Sequence, residues 1–138
     1  MSWVVVIYLE KINSFNTFTD MDIKKVQTLL QKFANDRDWN QFHSPKNLVM
    51  ALSSEVGELS DIFQWLTEEQ SKKENISETN LDLTKEELAD IMIYLLRLCD
   101  KLDVNIEKEV LNKIELNNKR YTVESSKGNA VKYNRRDE

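Results

Sequence analysis

The chain is poor in everything that breaks a helix or staples a small fold: its 138 residues include two glycines, one proline and one cysteine. So few breakers, with 31% charged residues, exclude a turn-rich β architecture and predict an all-α protein. One cysteine excludes a disulfide framework and fits a reducing, cytoplasmic compartment; Cys99 lies in an apolar helical run and reads as a small core residue. One histidine, His43, excludes paired Glu-x-x-His motifs and with them a ferritin-like di-iron centre. Surplus positive charge is missing as well. The formal net charge is -5, which argues against unassisted binding of a nucleic-acid backbone. Residues 3–9 are the only β-branched run, too short to span a membrane, with no basic segment before them and Glu10 and Lys11 ending them. They fit a short strand, an ordered arm or an artefact of upstream translation.

What the sequence does contain is helical periodicity. At 138 residues and 41% hydrophobic composition there is material for one domain with a core, not two. Thr19 is a candidate cap for a first helix, with Asp20 and Asp22 in its first turn and Ile23, Val26, Leu29, Leu30, Phe33 and Ala34 as one buried stripe. Residues 35–42 break that rhythm and read as a connection. Ser44-Pro45 opens a second helix running to about Leu66, with the proline where its missing N–H costs nothing. Residues 67–83 read as a polar loop, and Thr84-Lys85-Glu86-Glu87 as the capping box of a third helix ending near Leu102. Asn105 caps a fourth, ending near Tyr121. The expected organisation is an N-terminal arm (1–18), a four-helix bundle (19–121) and a polar tail (122–138).

Two acidic pairs stand out, Glu55-x-x-Glu58 on the second helix and Glu87-x-x-Asp90 on the third. At about 100° per residue, Leu48, Leu52, Leu59 and Ile62 fall within about 60° of Glu55, and Glu58 lies about 60° to the other side. Ile91, Tyr94, Leu98 and Asp90 repeat that arrangement around Glu87, whereas Asp61 turns toward solvent. Carboxylates facing a core lose hydration and repel one another, and nothing in the sequence supplies four buried lysines or arginines. Mg²⁺, or Mn²⁺ in its place, resolves both problems and accepts the oxygens of a phosphate substrate. Each pair alone also has a plain reading. Glu87 fits the third position of its capping box, and Glu58 fits a rim charge paired with a lysine.

Other residues suit a nucleotide. Trp39, Trp65 and Tyr94 offer flat apolar surfaces for a base, though such aromatics also serve as ordinary core. His43 precedes the second helix, where it fits a substrate contact, a capping role or simple exposure. Lys113 and Asn117 share a face with Ile106 and Val110 and suit phosphate or base contacts; the same lysine fits a side chain snorkelling at a core edge. The tail cations Lys127, Lys132, Arg135 and Arg136 read as a solvated terminus.

The stretches FANDRDWNQFHSPKNLVMALSSEVGELSDIFQWL, KEELADIMIYLLRLCDKLDV and VLNKIELNNKRY resemble the MazG-type all-α nucleoside triphosphate pyrophosphatases over roughly residues 23–121. The likeness is closest to the single-domain dCTP pyrophosphatase branch, which includes integron-encoded MazG-like proteins. Its ExxE…ExxD signature is present as Glu55, Glu58, Glu87 and Asp90, in the aromatic context of Trp39, Phe42-His43 and Gln64-Trp65. The resemblance implies a Mg²⁺-dependent enzyme cleaving a nucleoside triphosphate to monophosphate and diphosphate, on dCTP or modified pyrimidine nucleotides. It implies a homo-oligomer, commonly a tetramer of two dimers. It also implies that Trp39, Trp65 and Tyr94 frame the base with His43 nearby, and that Lys113 and Asn117 contact phosphate or sugar. Glu55 or Glu58, the latter favoured for its rim placement, would activate water. Leu30 stands where some members carry a histidine, so strict cytosine selectivity is not implied. Related folds with dUTPase or phosphoribosyl-ATP pyrophosphatase activity, and a non-catalytic helical dimerisation module, are the alternatives.

Overall fold

The computed structural model describes residues 21–135, and the N-terminal arm with its apolar run and the expected Thr19 cap lies outside them. Every regular element among the described residues is helical, as the dearth of breakers predicts. Helix α1 spans Ile23–Asp36, α2 Pro45–Phe63, α3 Glu78–Lys101, α4 Ile106–Arg120 and the single turn α5 Val123–Ser126. None of the helices is long and apolar enough to cross a membrane.

Asp22 caps α1, its carboxylate accepting the Lys25 N–H at 2.9 Å. After α1 the chain reverses through Asp38, held in the left-handed region at φ 55°, into a 3₁₀ turn at Trp39–Gln41. Polar side chains lock this reversal. Gln31 donates to Asn35 at 2.7 Å, Asn40 donates to the same Asn35 oxygen, and Asn47 donates to the Phe42 carbonyl at 3.0 Å. The reversal therefore places Trp39 and His43 over the side of α1. Ser44 caps α2 by accepting the Asn47 N–H at 3.2 Å, with Pro45 in the first turn.

The third helix starts earlier than expected. Ser77 is its cap, accepting the Asn80 N–H at 3.2 Å, so residues 78–83 are helix rather than loop. Thr84 lies inside the helix and its hydroxyl donates to the Asn80 carbonyl at 2.7 Å. Thr84-Lys85-Glu86-Glu87 matches a capping box in sequence, yet no breaker separates it from Ser77, and helix propagation prevails. Residues 67–76 are a loop, closed by reciprocal hydrogen bonds between Thr67 and Gln70. Asn105 caps α4 as expected.

Helix α3 packs along α2, and α1 lies against α3. The deepest apolar side chains are Ala34 on α1, Leu48 on α2, and Leu96 and Cys99 on α3, so the core centres on the C-terminal half of α3. Helix α4 leans on α3 with Ile106 while Val110, Leu111 and Ile114 stay largely exposed, Leu111 at 66%. The segment after α4 is not a bare tail. Tyr133 packs edge-on to Tyr121 at 5.8 Å with the Arg120 guanidinium 4.6 Å from its ring centroid.

The position of the α3 start is testable by urea unfolding. Ser77→Ala is expected to cost about 1 kcal/mol, the usual loss for a cap hydroxyl. Thr84→Ala is expected to change stability by less than about 0.5 kcal/mol, because no cap is removed.

Candidate active site

Pairing α2 with α3 turns the two acidic pairs toward each other. Glu55, Glu58 and Glu87 each present a carboxylate oxygen, and the three oxygens lie within 4.8 Å of one another. Glu55 and Glu87 are half-buried and Glu58 is exposed, so the cluster has a protein side and a water side. Burial holds the Glu55 carboxyl above its ordinary range, and the charges of Glu58, Asp90 and Glu87 push it further, with a hydrogen bond to Glu87 adding to them. One oxygen of Glu87, Oε2, is buried without any hydrogen-bond partner. An orphaned carboxylate oxygen beside two like charges fits a hard divalent cation better than it fits a structural ion pair. Asp90 is exposed and stands beside this three-oxygen group rather than within it.

Asp90 instead lines a cavity of about 450 Å³ between α1, the Trp39 turn and α3. Its walls are Leu29, Leu30 and Phe33 of α1, Ile93 and Tyr94 of α3, and Trp39. Phe33 meets Trp39 edge-on at 5.6 Å, and Trp39 meets His43 edge-on at 6.3 Å, giving an aromatic corner. The Tyr94 hydroxyl is held above its ordinary value by burial and then by the Glu55 and Asp90 charges, so it stays a neutral donor. Tyr94 and Asp90 thus join the two halves: an acidic cluster at one end, a flat apolar cavity at the other.

Arg97 is the charged residue that the sequence reading missed. It is 2% exposed and lines the same cavity. Nη1 donates to Gln31 Oε1 at 2.7 Å and Asp100 Oδ2 at 3.2 Å; Nη2 donates to Asn40 Oδ1 at 3.1 Å and lies 3.4 Å from His43 Nδ1. Burial, then the Arg97 and Lys101 charges, hold His43 below its ordinary value, so it is neutral. A lone cation in the otherwise apolar stretch 91–99 was the available signal.

Of the expected site residues, Glu55, Glu58 and Glu87 meet, and Asp90, Trp39, His43 and Tyr94 meet around the neighbouring cavity. Trp65, 85% exposed beyond the end of α2, is not among the cavity-lining residues, nor are Lys113 and Asn117 on α4.

Comparison with known proteins adds three findings. Residues 50–135 match the MazG-like family. Bovine dCTP pyrophosphatase 1 is 40% identical over 119 residues, which are 86% of this chain and 70% of the bovine protein; the human dCTP pyrophosphatase 1 is 35% identical over the same shares. Among solved structures, a pyrophosphatase from Archaeoglobus fulgidus superposes with a TM-score of 0.68 at 35% identity, covering 77% of this chain and 97% of that one.

The charge state of the cluster sets a stability test. Glu55 binds its proton more tightly folded than unfolded, so its contribution is fully present at low pH and is lost as pH rises through the raised value. Metal-free protein is therefore expected to melt at lower temperature as pH climbs out of the ordinary carboxylate range. Glu55→Gln flattens that slope. Addition of Mg²⁺ or Mn²⁺ at neutral pH raises the melting temperature of the wild type, by about 2.7 kcal/mol of stability at a hundred times Kd, and not that of Glu87→Gln. Differential scanning fluorimetry across pH reads both.

Proposed function

The chain belongs to the MazG-like family, and from that premise we propose that it is a divalent-metal-dependent nucleoside triphosphate pyrophosphohydrolase, converting a deoxynucleoside triphosphate to monophosphate and diphosphate. The preferred substrate in this reading is dCTP or a modified pyrimidine analogue, supported by 35–40% identity to proteins named dCTP pyrophosphatase 1. One observation carries it: carboxylates of α2 and α3 converge beside an aromatic cavity, with Asp90 lining the cavity next to the cluster. A nucleotide needs that combination, a place for charge next to a place for a ring.

Glu55, Glu58 and Glu87, with Asp90 alongside, would hold Mg²⁺, for which Mn²⁺ would substitute. When bound, the cation supplies charge neutralisation along the triphosphate and on the departing diphosphate. Glu58 faces solvent and is assigned to orient a water and take its proton for attack on phosphorus; Glu55, deeper and held toward its protonated form, is assigned to the metal. Tyr94, which lines the cavity and feels the Glu55 and Asp90 charges, would donate a hydrogen bond where cavity and cluster meet. Trp39 and Phe33 would sandwich or edge the base.

Trp65, Lys113 and Asn117 enter this reading through a second copy of the chain. The apolar residues that α4 leaves exposed support assembly into a homo-oligomer, a tetramer of two dimers, in which those side chains reach a neighbour's triphosphate or base. The nucleotide substrate and the buried free thiol of Cys99 fit a cytoplasmic setting. The net charge of -5 fits a protein whose phosphate substrate arrives with its cation, not one that holds nucleic acid.

The test is diphosphate release from a panel of standard and modified dNTPs and NTPs, with and without Mg²⁺. Mg²⁺-dependent release led by dCTP or its analogues is expected. Asp90→Asn and Glu55→Gln should each lower kcat/KM by about a hundredfold or more while keeping the helical circular dichroism. A folded, metal-loaded wild type silent across the panel would overturn the enzyme; release led by dUTP or phosphoribosyl-ATP would reassign its substrate.

A further inference from the structure

Trp39 is a wall of the aromatic cavity, yet burial does not fix it: the residue is 44% exposed and its ring meets Phe33 and His43 only edge-on. What holds it is the polar anchoring of its neighbours. Asn40, next in the chain, uses one side-chain oxygen for three donors: Gln31 at 3.3 Å, Arg97 at 3.1 Å and Lys101 at 3.2 Å. His43, at the far end of the turn, faces Arg97 Nη2 through its Nδ1. Arg97 is thus the common partner of the two residues on either side of the turn, and its other terminal nitrogen donates to Gln31 of α1 and Asp100 of α3. One guanidinium ties α1, the turn and α3 together at the cavity.

Stability alone is a poor reason for that tie. Arg97 is buried with its Nε–H unbonded, and an apolar side chain of similar size would fill the space without burying a charge or an orphaned donor. What the planar fork adds is direction, since its donors fix where Asn40 and His43 sit. It also fixes the chemistry of His43. A guanidinium only donates, so the Nδ1 facing it accepts, and a proton there would set donor against donor. The charges acting on the ring, Arg97 and Lys101, are both positive and both come from α3; Asp100 pairs with Arg97, and Trp39 and Asn40 bring no charge. With burial they keep the imidazole neutral, whereas an imidazolium at the aromatic corner would hold water there.

We infer that Arg97 is a positioning residue for base binding: without touching the nucleotide, it holds Asn40 and His43, and through them Trp39, in the arrangement that receives the ring. This inference rests on the pyrophosphohydrolase reading above. The partners of Arg97 are Gln31, Asn40, His43 and Asp100, none of them in the Glu55, Glu58 and Glu87 cluster, so its loss weakens the hold on the ring and leaves the phosphate chemistry in place. A purely structural tie predicts lower stability with no separation of KM from kcat.

Two measurements separate these roles. In the first, kcat and KM for dCTP with Mg²⁺ are determined for wild type, Arg97→Met, which removes the fork, and Arg97→Lys, which keeps a cation. Arg97→Met is expected to raise KM about tenfold with kcat within about twofold, and to leave the Mg²⁺ concentration for half-maximal rate unchanged. Arg97→Lys recovers part of that KM. Asn40→Ala raises KM in the wild type and adds little in Arg97→Met, because both act through one contact. The second measurement stands even if no variant folds. His43 is the only histidine, so its ring nitrogen and proton resonances in untagged protein are unambiguous by NMR. Wild type is expected to carry the neutral-ring proton on Nε2 and to titrate below the ordinary histidine value; in a folded Arg97→Met the titration moves up toward it. A folded Arg97→Met with unchanged KM, a kcat that falls as far as KM rises, or a wild-type His43 that titrates at its ordinary value or holds its proton on Nδ1 would each overturn the role of Arg97 while leaving the enzyme intact. Absence of diphosphate release from wild type on every nucleotide would overturn both.

Discussion

The pairing of α2 with α3 sets the terms for everything else in this fold. An i,i+3 acidic pair on each helix lies at the edge of the stripe that the pairing buries, so closing the helices forces like charges together. The apolar residues around them, Leu48 and Leu96 among the deepest, provide the drive that holds the carboxylates in place. Stability and chemistry are thus opposed at one seam. The raised proton affinity of Glu55 and the unpartnered oxygen of Glu87 are the visible signs of that opposition.

The second half of the site comes from the reversal after α1. Asp38 in the left-handed region and the Asn35, Asn40 and Gln31 amides turn the chain so that Trp39 and His43 face the flank of α1 and α3. Arg97 anchors the same region from α3 through Gln31 and Asn40. Cavity and acidic cluster are therefore built from different elements that share α3, with Asp90 and Tyr94 one helical turn apart at their border.

Much of this was legible in the residues. Ser44-Pro45 and Asn105 mark helix starts because a capping side chain and a tolerant first turn act locally, within four residues. The phase of both acidic pairs followed from helical periodicity alone, and three of those four carboxylates do meet. Thr84 misled because a capping box is a pattern that also occurs inside helices; only the uninterrupted chain back to Ser77 decides the start. Arg97 was passed over because periodicity counts apolar positions and says nothing of a cation whose four polar partners are 3 to 66 residues away in sequence. Trp65 was expected beside the base with Trp39 and Tyr94, but α2 ends at Phe63, and Trp65 beyond it is exposed and does not line this chain's own cavity.

The raised proton affinity of Glu55 has a consequence beyond the fold. Burial and the neighbouring carboxylates make Glu55 hold its proton more tightly than an ordinary glutamate, and a cation that took this carboxylate would have to displace any proton it carries. Ion capture at this cluster would then be in part an exchange, hydrogen ion out for metal in, and its heat would belong partly to whatever buffer receives the released hydrogen ion. Calorimetry of metal binding would then call for a series across buffers of different ionisation heat, whose slope counts the hydrogen ions displaced for each metal bound.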